Sequence, residues 1–162
     1  MKKIRIFLGT IASLACFVFF VSTFYLNFDC GEQNMIYSPE SILTVLVPLV
    51  IWQLFSGIMP GFLRAFKIAF TKKEYKAVDI KKSMYALKAT FVAAILINAI
   101  QMTISVSSAF LNSLGVEDYA TVWAPVIWPL VVSGALVAPV IILILLPVYS
   151  ELKFSLLEKE VE

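Results

Sequence analysis

Polar side chains recur along one face of a long apolar stretch, at Asn98, Gln101, Ser105 and Ser108. Their spacing of three and four residues would place them in one line on a helix whose other faces are Ile, Leu, Val and Phe. Such a line contacts protein or water rather than lipid. Amide and hydroxyl groups in this setting either hydrogen bond to a neighbouring helix or line an ion path. The residues alone favour helix packing, and a conducting pore is the alternative.

The long apolar stretches, residues 6–28, 42–62, 89–111 and 122–148, lack the groups that usually carry protons or cations across a membrane. They contain no Asp, Glu, Lys or Arg, and the chain has no His. If the chain moves ions, a partner must therefore supply the titrating residue. The chain also has no cysteine cluster and no nucleophile paired with a base. We therefore expect no metal, no cofactor and no enzymatic activity.

Each of these stretches is long enough to cross a membrane as a helix. A hydrocarbon core of about 30 Å needs roughly 20 apolar residues at about 1.5 Å each. Hydrocarbon offers the backbone no water, so helices are the economical spans. With 60% hydrophobic and 15% charged residues in a chain of 162, no separate soluble domain fits. We predict an all-α fold, with residues 1–162 forming a single membrane domain of four transmembrane helices.

The distribution of charge predicts an orientation. All 13 basic side chains fall in residues 2–5, 64–88 and 153–159. Between these stretches, every charged residue is an acid. Cytoplasmic loops retain Lys and Arg, so both termini and the segment 63–88 should be cytoplasmic, in a bacterial inner membrane. The basic start could also begin a signal peptide. The run after it lacks a small-x-small cleavage pattern, so a retained anchor is expected.

The segment 63–88 is the basic connection between the second and third spans. Apolar positions recur at three and four in residues 62–70, so this part either continues the second span or lies along the lipid surface. Its cations would face lipid phosphates, with Arg64, Lys67, Lys72 and Lys73 at the inner surface. No arginine cluster or base-stacking module accompanies them, so nucleic acid is not an expected partner.

Prolines and glycines predict where helices bend and touch. The fourth span contains Pro125, Pro129, Pro139 and Pro147. Each proline removes a backbone donor, so kinks that shape packing are expected near Pro129 and Pro139. At the inner end of the second span, Gly57 and Gly61 stand four residues apart, a spacing typical of close helix contacts.

Several short patterns between residues 41 and 153 carry a family resemblance. Residues 61–70 read Gly-Phe-Leu-Arg-Ala-Phe-Lys-Ile-Ala-Phe. The fourth span opens with Ala124-Pro125, carries Ser133-Gly134 in its middle, and closes with Leu146-Pro147 followed by the acid-x-basic residues 151–153. In these positions the chain resembles short members of the MotA/TolQ/ExbB family of ion-driven motor subunits.

This resemblance implies a function and a set of site residues. The family's subunits form a ring, pentameric in its known members, around single-span partners that carry a membrane Asp. Ions pass between that Asp and polar groups on the third and fourth helices. By resemblance, Asn98 and Ser133 would line the path, Thr103 and Ser105 would support it, and the prolines would shape the helix. The expected function is the multispan subunit of a proton- or sodium-conducting complex. The alternative is a non-conducting scaffold that binds partner helices.

Overall fold

The computed structural model describes residue 4, residues 6–15, residue 18 and residues 39–71, 74–113 and 124–161. These residues form helices α1 (Ile6–Ala15), α2 (Pro39–Phe55), α3 (Met59–Phe70), α4 (Ala77–Ser113) and α5 (Ala124–Val161). No strand occurs within these ranges, which confirms the all-α prediction. At 37 and 38 residues, α4 and α5 are the longest of these helices. Each is about 55 Å long, well beyond a hydrocarbon core of about 30 Å.

Two of these helices can each cross a membrane by their length and composition. The stretches that qualify are Ala77–Ile104 of α4 and Ala135–Lys159 of α5. α2 and α3 qualify only together, as a bent pair that would raise the number of spans to three. The described part of α1 is apolar, and most of the predicted span 6–28 lies outside the described residues. The described chain is thus all-helical with two or three helices able to cross a membrane, and the fourth span stays a prediction.

α2 and α3 meet at an elbow of 101°. The turn is made by Gly57, whose φ of 69° lies in the left-handed region that glycine adopts without steric cost. Its N–H donates to the carbonyl of Leu54 at 3.3 Å. Pro60 follows in the first turn of α3, where a helix has no partner for the N–H that proline lacks. Residues 42–62, predicted as one span, therefore form two helices that point in different directions.

α3 is amphipathic and packs its apolar face on α4 and α5. Ala65, Ile68 and Ala69 are buried, whereas Arg64 and Lys67 are exposed. Of the two placements that the sequence allowed for this segment, the elbow excludes a straight continuation of α2. A helix of this composition, turned away from α2, suits a position along the lipid surface.

The glycine pair predicted to form a helix contact is divided by the elbow. A Cβ atom on Gly61 would lie 3.0 Å from the Cβ of Ala86, so α3 approaches α4 closely there. A Cβ atom on Gly57 would meet nothing within 4 Å. The expected pair is not formed, because Gly57 makes the turn and only Gly61 belongs to a packed helix.

Buried apolar side chains of the described residues form two clusters. The junction cluster consists of Ile6, Ala65, Ile68, Ala69, Ile80, Leu87, Leu145, Val148 and Leu152. The span cluster consists of Leu49, Ala93, Ala94 and Ala138. Ile141 of α5 packs against both clusters. The junction cluster therefore gathers α1, α3, the first three turns of α4 and residues 145–152 of α5.

The prolines predicted to shape the fourth span all lie inside α5. Pro125 occupies its first turn, where proline is tolerated, and the helix continues through Pro129, Pro139 and Pro147 to Val161. Pro147 also forms a contact with α1, because a Cβ atom on Gly9 would lie 3.1 Å from the Cβ of Pro147. The absence of a side chain at Gly9 thus lets α1 approach α5.

Candidate polar site in the helix core

A buried hydrogen bond joins α2 to α4. Nε2 of Gln53 donates to Oγ1 of Thr90 at 2.8 Å, and that hydroxyl donates to the carbonyl of Ala86 at 2.9 Å. Both side chains are buried among apolar neighbours. Neither residue was predicted as a site residue. The sequence did contain a signal for both residues. A Gln in an apolar span is expected to face the bundle. Thr90 lies two turns before Asn98 on the same face of the helix.

Asn98 is the predicted site residue that the structure buries. Its side chain is 7% exposed, and Oδ1 has no hydrogen-bond partner among the described residues. One turn earlier on α4, Ala94 is fully buried in the span cluster together with Ala138 of α5. An unsatisfied buried acceptor costs about 1–3 kcal/mol, and in a bilayer no bulk water offsets that cost. Oδ1 of Asn98 is therefore available to accept a hydrogen bond from a group that does not belong to the described residues.

The structure does not bring Thr103 together with Asn98. Thr103 is exposed, and its hydroxyl donates to the carbonyl of Ala99 at 2.8 Å, within α4 itself. The backbones of Ser105 and Ser133 belong to α4 and α5, but their side chains lie outside the described part of the chain. Their predicted places on the ion path stay predictions.

The predicted lipid-facing cations are described in part. Arg64 is exposed and its Nη1 donates to Oδ1 of Asp79 at 2.8 Å, an exposed ion pair of small net stability. Lys67 is exposed on the same helix. Lys72 and Lys73 lie outside the described residues.

Further buried polar groups lie at the junction end of the bundle. Glu151 of α5 is only 2% exposed. The hydroxyls of Tyr75 and Ser83 are buried without a hydrogen-bond partner among the described residues. The acid-x-basic motif included residue 151, but its burial was not predicted, because the fourth predicted span ended at residue 148. The apolar helix that can cross a membrane continues to Lys159. A carboxylate thus lies inside the bundle near the end of this helix.

Comparison with protein families, characterised proteins and solved structures finds no match to this chain. The resemblance to the MotA/TolQ/ExbB family therefore depends on the sequence patterns alone. The fold and the site define a class: an all-helical protein with two or three helices able to cross a membrane, and with buried amide and hydroxyl groups between them.

Proposed function

We propose that this chain is the multispan subunit of a proton- or sodium-conducting complex of the MotA/TolQ/ExbB type. The complex would lie in a bacterial inner membrane, with both termini and the segment 63–88 in the cytoplasm. Copies of the chain would form a ring around a single-span partner that carries a membrane Asp. The observation that carries this proposal is the buried Oδ1 of Asn98, which lacks a donor among the described residues.

The chemistry of a partner Asp complements that acceptor. A protonated carboxyl group has one O–H donor, which could satisfy the amide oxygen of Asn98. An ionised carboxylate has no O–H to donate, so it would release the amide oxygen and could bind a proton or a sodium ion. The partner would thus alternate between a state bonded to Asn98 and a state that carries no proton. Such alternation at one depth in the membrane is what an ion-driven subunit requires.

The surface of α4 leaves room for neighbouring protein. Large apolar side chains remain exposed along its membrane part, among them Ile95, Ile100 and Ile104. Lipid or another copy of the chain could cover these side chains equally well in chemical terms. In the proposed ring, part of this surface contacts the next copy and part contacts lipid.

A specific observation favours the second candidate, a scaffold that conducts nothing. The hydrogen bond from Gln53 to Thr90 joins α2 to α4, and Thr90 donates in turn to the carbonyl of Ala86 within α4, so this contact needs no ion. Thr103, predicted to support the path, uses its hydroxyl within its own helix. A scaffold would use Asn98 to bind a partner helix, with no proton transfer.

Purification and reconstitution separate the two candidates. We expect the tagged chain, extracted from its native membrane in mild detergent, to form a ring together with a single-span protein that carries a membrane Asp. In liposomes, the complex should dissipate an imposed proton or sodium gradient faster than protein-free liposomes, as measured with an ion-sensitive dye. An assembled complex that passes no ions would establish the scaffold. A chain recovered as a monomer without a partner would contradict both candidates.

A further inference from the structure

A cavity of about 600 Å³ is formed by the turn that follows α2, the start of α3 and the facing side of α4. Its charged lining residues are Arg64 of α3 and Lys81 and Lys82 of α4. Arg64 donates to Asp79 at 2.8 Å, but a guanidinium has five N–H donors, so others remain for a ligand. The basic side chains that line this cavity therefore favour an anion.

The elbow is also open at its turn. Gly57 lines the cavity, and a Cβ atom on it would meet nothing within 4 Å, so there is open space beside the turn. The first turn of α3 borders the same cavity, and Ile58 at its N-cap gives no side-chain cap. The positive end of the α3 dipole adds to the charge of the lysines and the arginine.

A second cavity, of about 520 Å³, lies further along α4. Tyr85 lines both cavities. Beyond Tyr85 the walls are almost wholly apolar, formed by Trp52 of α2 and by α4 side chains that include Val92 and Leu96. Lys88 also borders this cavity, but its Nζ lies 5.8 Å from the ring centroid of Tyr149 on α5, so its charge is engaged there.

We propose that these two cavities together, here called the elbow groove, bind one anionic glycerophospholipid such as phosphatidylglycerol. The phosphate would contact Lys82, Lys81 and Arg64, and one acyl chain would lie along the wall from Tyr85 to Ile97. That wall extends over about 18 Å of helix, close to the roughly 15 Å thickness of one hydrocarbon leaflet. The inference does not depend on ion conduction and applies equally to a scaffold.

The two halves of the elbow groove explain why the occupant is a lipid. A free phosphate would use the cations but would leave the apolar wall uncovered. A purely apolar ligand would cover the wall but would leave the cations without a counter-charge. A lipid with an anionic headgroup satisfies both halves, since each Lys or Arg near a membrane surface contributes about 1 kcal/mol of attraction to anionic lipid. A zwitterionic lipid supplies the chain without the net charge.

Native mass spectrometry of the full chain, purified in its extracted assembly and delipidated, tests this inference. We expect one phosphatidylglycerol per chain, bound about tenfold more tightly than phosphatidylcholine with the same acyl chains. Lys82→Glu should weaken phosphatidylglycerol binding by about tenfold or more, because it replaces an attraction by a repulsion. Lys153→Glu is the matched control: Lys153 is exposed on α5 and does not border the groove.

The apolar half of the groove has its own test. Ala89→Trp should fill the wall and lower the bound fraction of phosphatidylglycerol, whereas Ile100→Trp, at an exposed position outside the groove, should not. Equal binding of the two lipids, or equal effects of Lys82→Glu and Lys153→Glu, would overturn the proposal. Binding of inorganic phosphate without any binding of phosphatidylglycerol would also overturn it, since the cavity would then be an anion site without a lipid.

Discussion

Asn98→Leu is expected to reduce ion flux through the reconstituted complex by about tenfold to a hundredfold, because a hydrogen bond between Oδ1 and the partner carboxyl would be lost. Leucine has the same branched arrangement of side-chain heavy atoms as asparagine, although its methyl groups are larger than the amide oxygen and nitrogen. Its introduction removes a buried acceptor that has no partner among the described residues, so the chain itself should keep its stability or gain some. Flux and complex size would be measured on the same purified preparation. Adding Ser133→Ala should remove the remaining flux.

Thr103→Val is the matched control for this substitution. It removes a hydroxyl from the same helix without changing the side-chain shape, and that exposed hydroxyl donates to the carbonyl of Ala99 within the helix. Flux should therefore stay close to that of the unmodified complex. If Asn98→Leu prevents assembly, the amide acts in helix packing and the scaffold is the correct function. If the variant assembles and conducts normally, Asn98 does not line the path.

Leu87→Ala is expected to lower the free energy of unfolding by about 2–5 kcal/mol, the range for a large apolar side chain lost from a packed core. Leu87 is 0% exposed and belongs to the junction cluster, where helices α1, α3, α4 and α5 meet. The space left by the missing side chain would weaken the packing of all four helices where they meet. Titration of the purified chain with SDS in mixed micelles, followed by circular dichroism, measures the change.

Ile95→Ala is the control for that measurement, on the same helix but with the side chain 52% exposed. Its substitution should change stability by less than about 1 kcal/mol, because little packed contact is lost. Comparable losses for Leu87→Ala and Ile95→Ala would show that the junction cluster is not a core.

The sequence was sufficient to predict an all-helical fold. The helix boundaries were predicted less well, because they were placed where the apolar stretches begin and end. α4 begins at Ala77, whereas the third span was predicted from residue 89. Lys81, Lys82 and Lys88 end the apolar stretch but do not end the helix, because lysine is a good helix former. The elbow at Gly57 was missed for a related reason: apolar composition continues through the turn, and only the backbone shows the change of direction.

For the site, spacing predicted the burial of Asn98 but not its surroundings. Thr103 lies five residues further along α4, which places it on another face, and its hydroxyl bonds within the helix. The contact between Gln53 and Thr90 depends on how α2 packs on α4, which one chain's sequence does not specify. The burial of Glu151 likewise follows from α5 continuing past residue 148 into the junction cluster.

Electron cryo-microscopy of the purified complex in nanodiscs tests the proposed contact at Asn98 most directly. The quantity to measure is the distance from Oδ1 of Asn98 to the nearest donor. We predict a carboxyl oxygen from the single-span helix of a partner, at about 2.6–3.0 Å, inside a ring of copies of this chain. A donor supplied by the chain itself, with no partner helix at this depth, would contradict the proposed ion path.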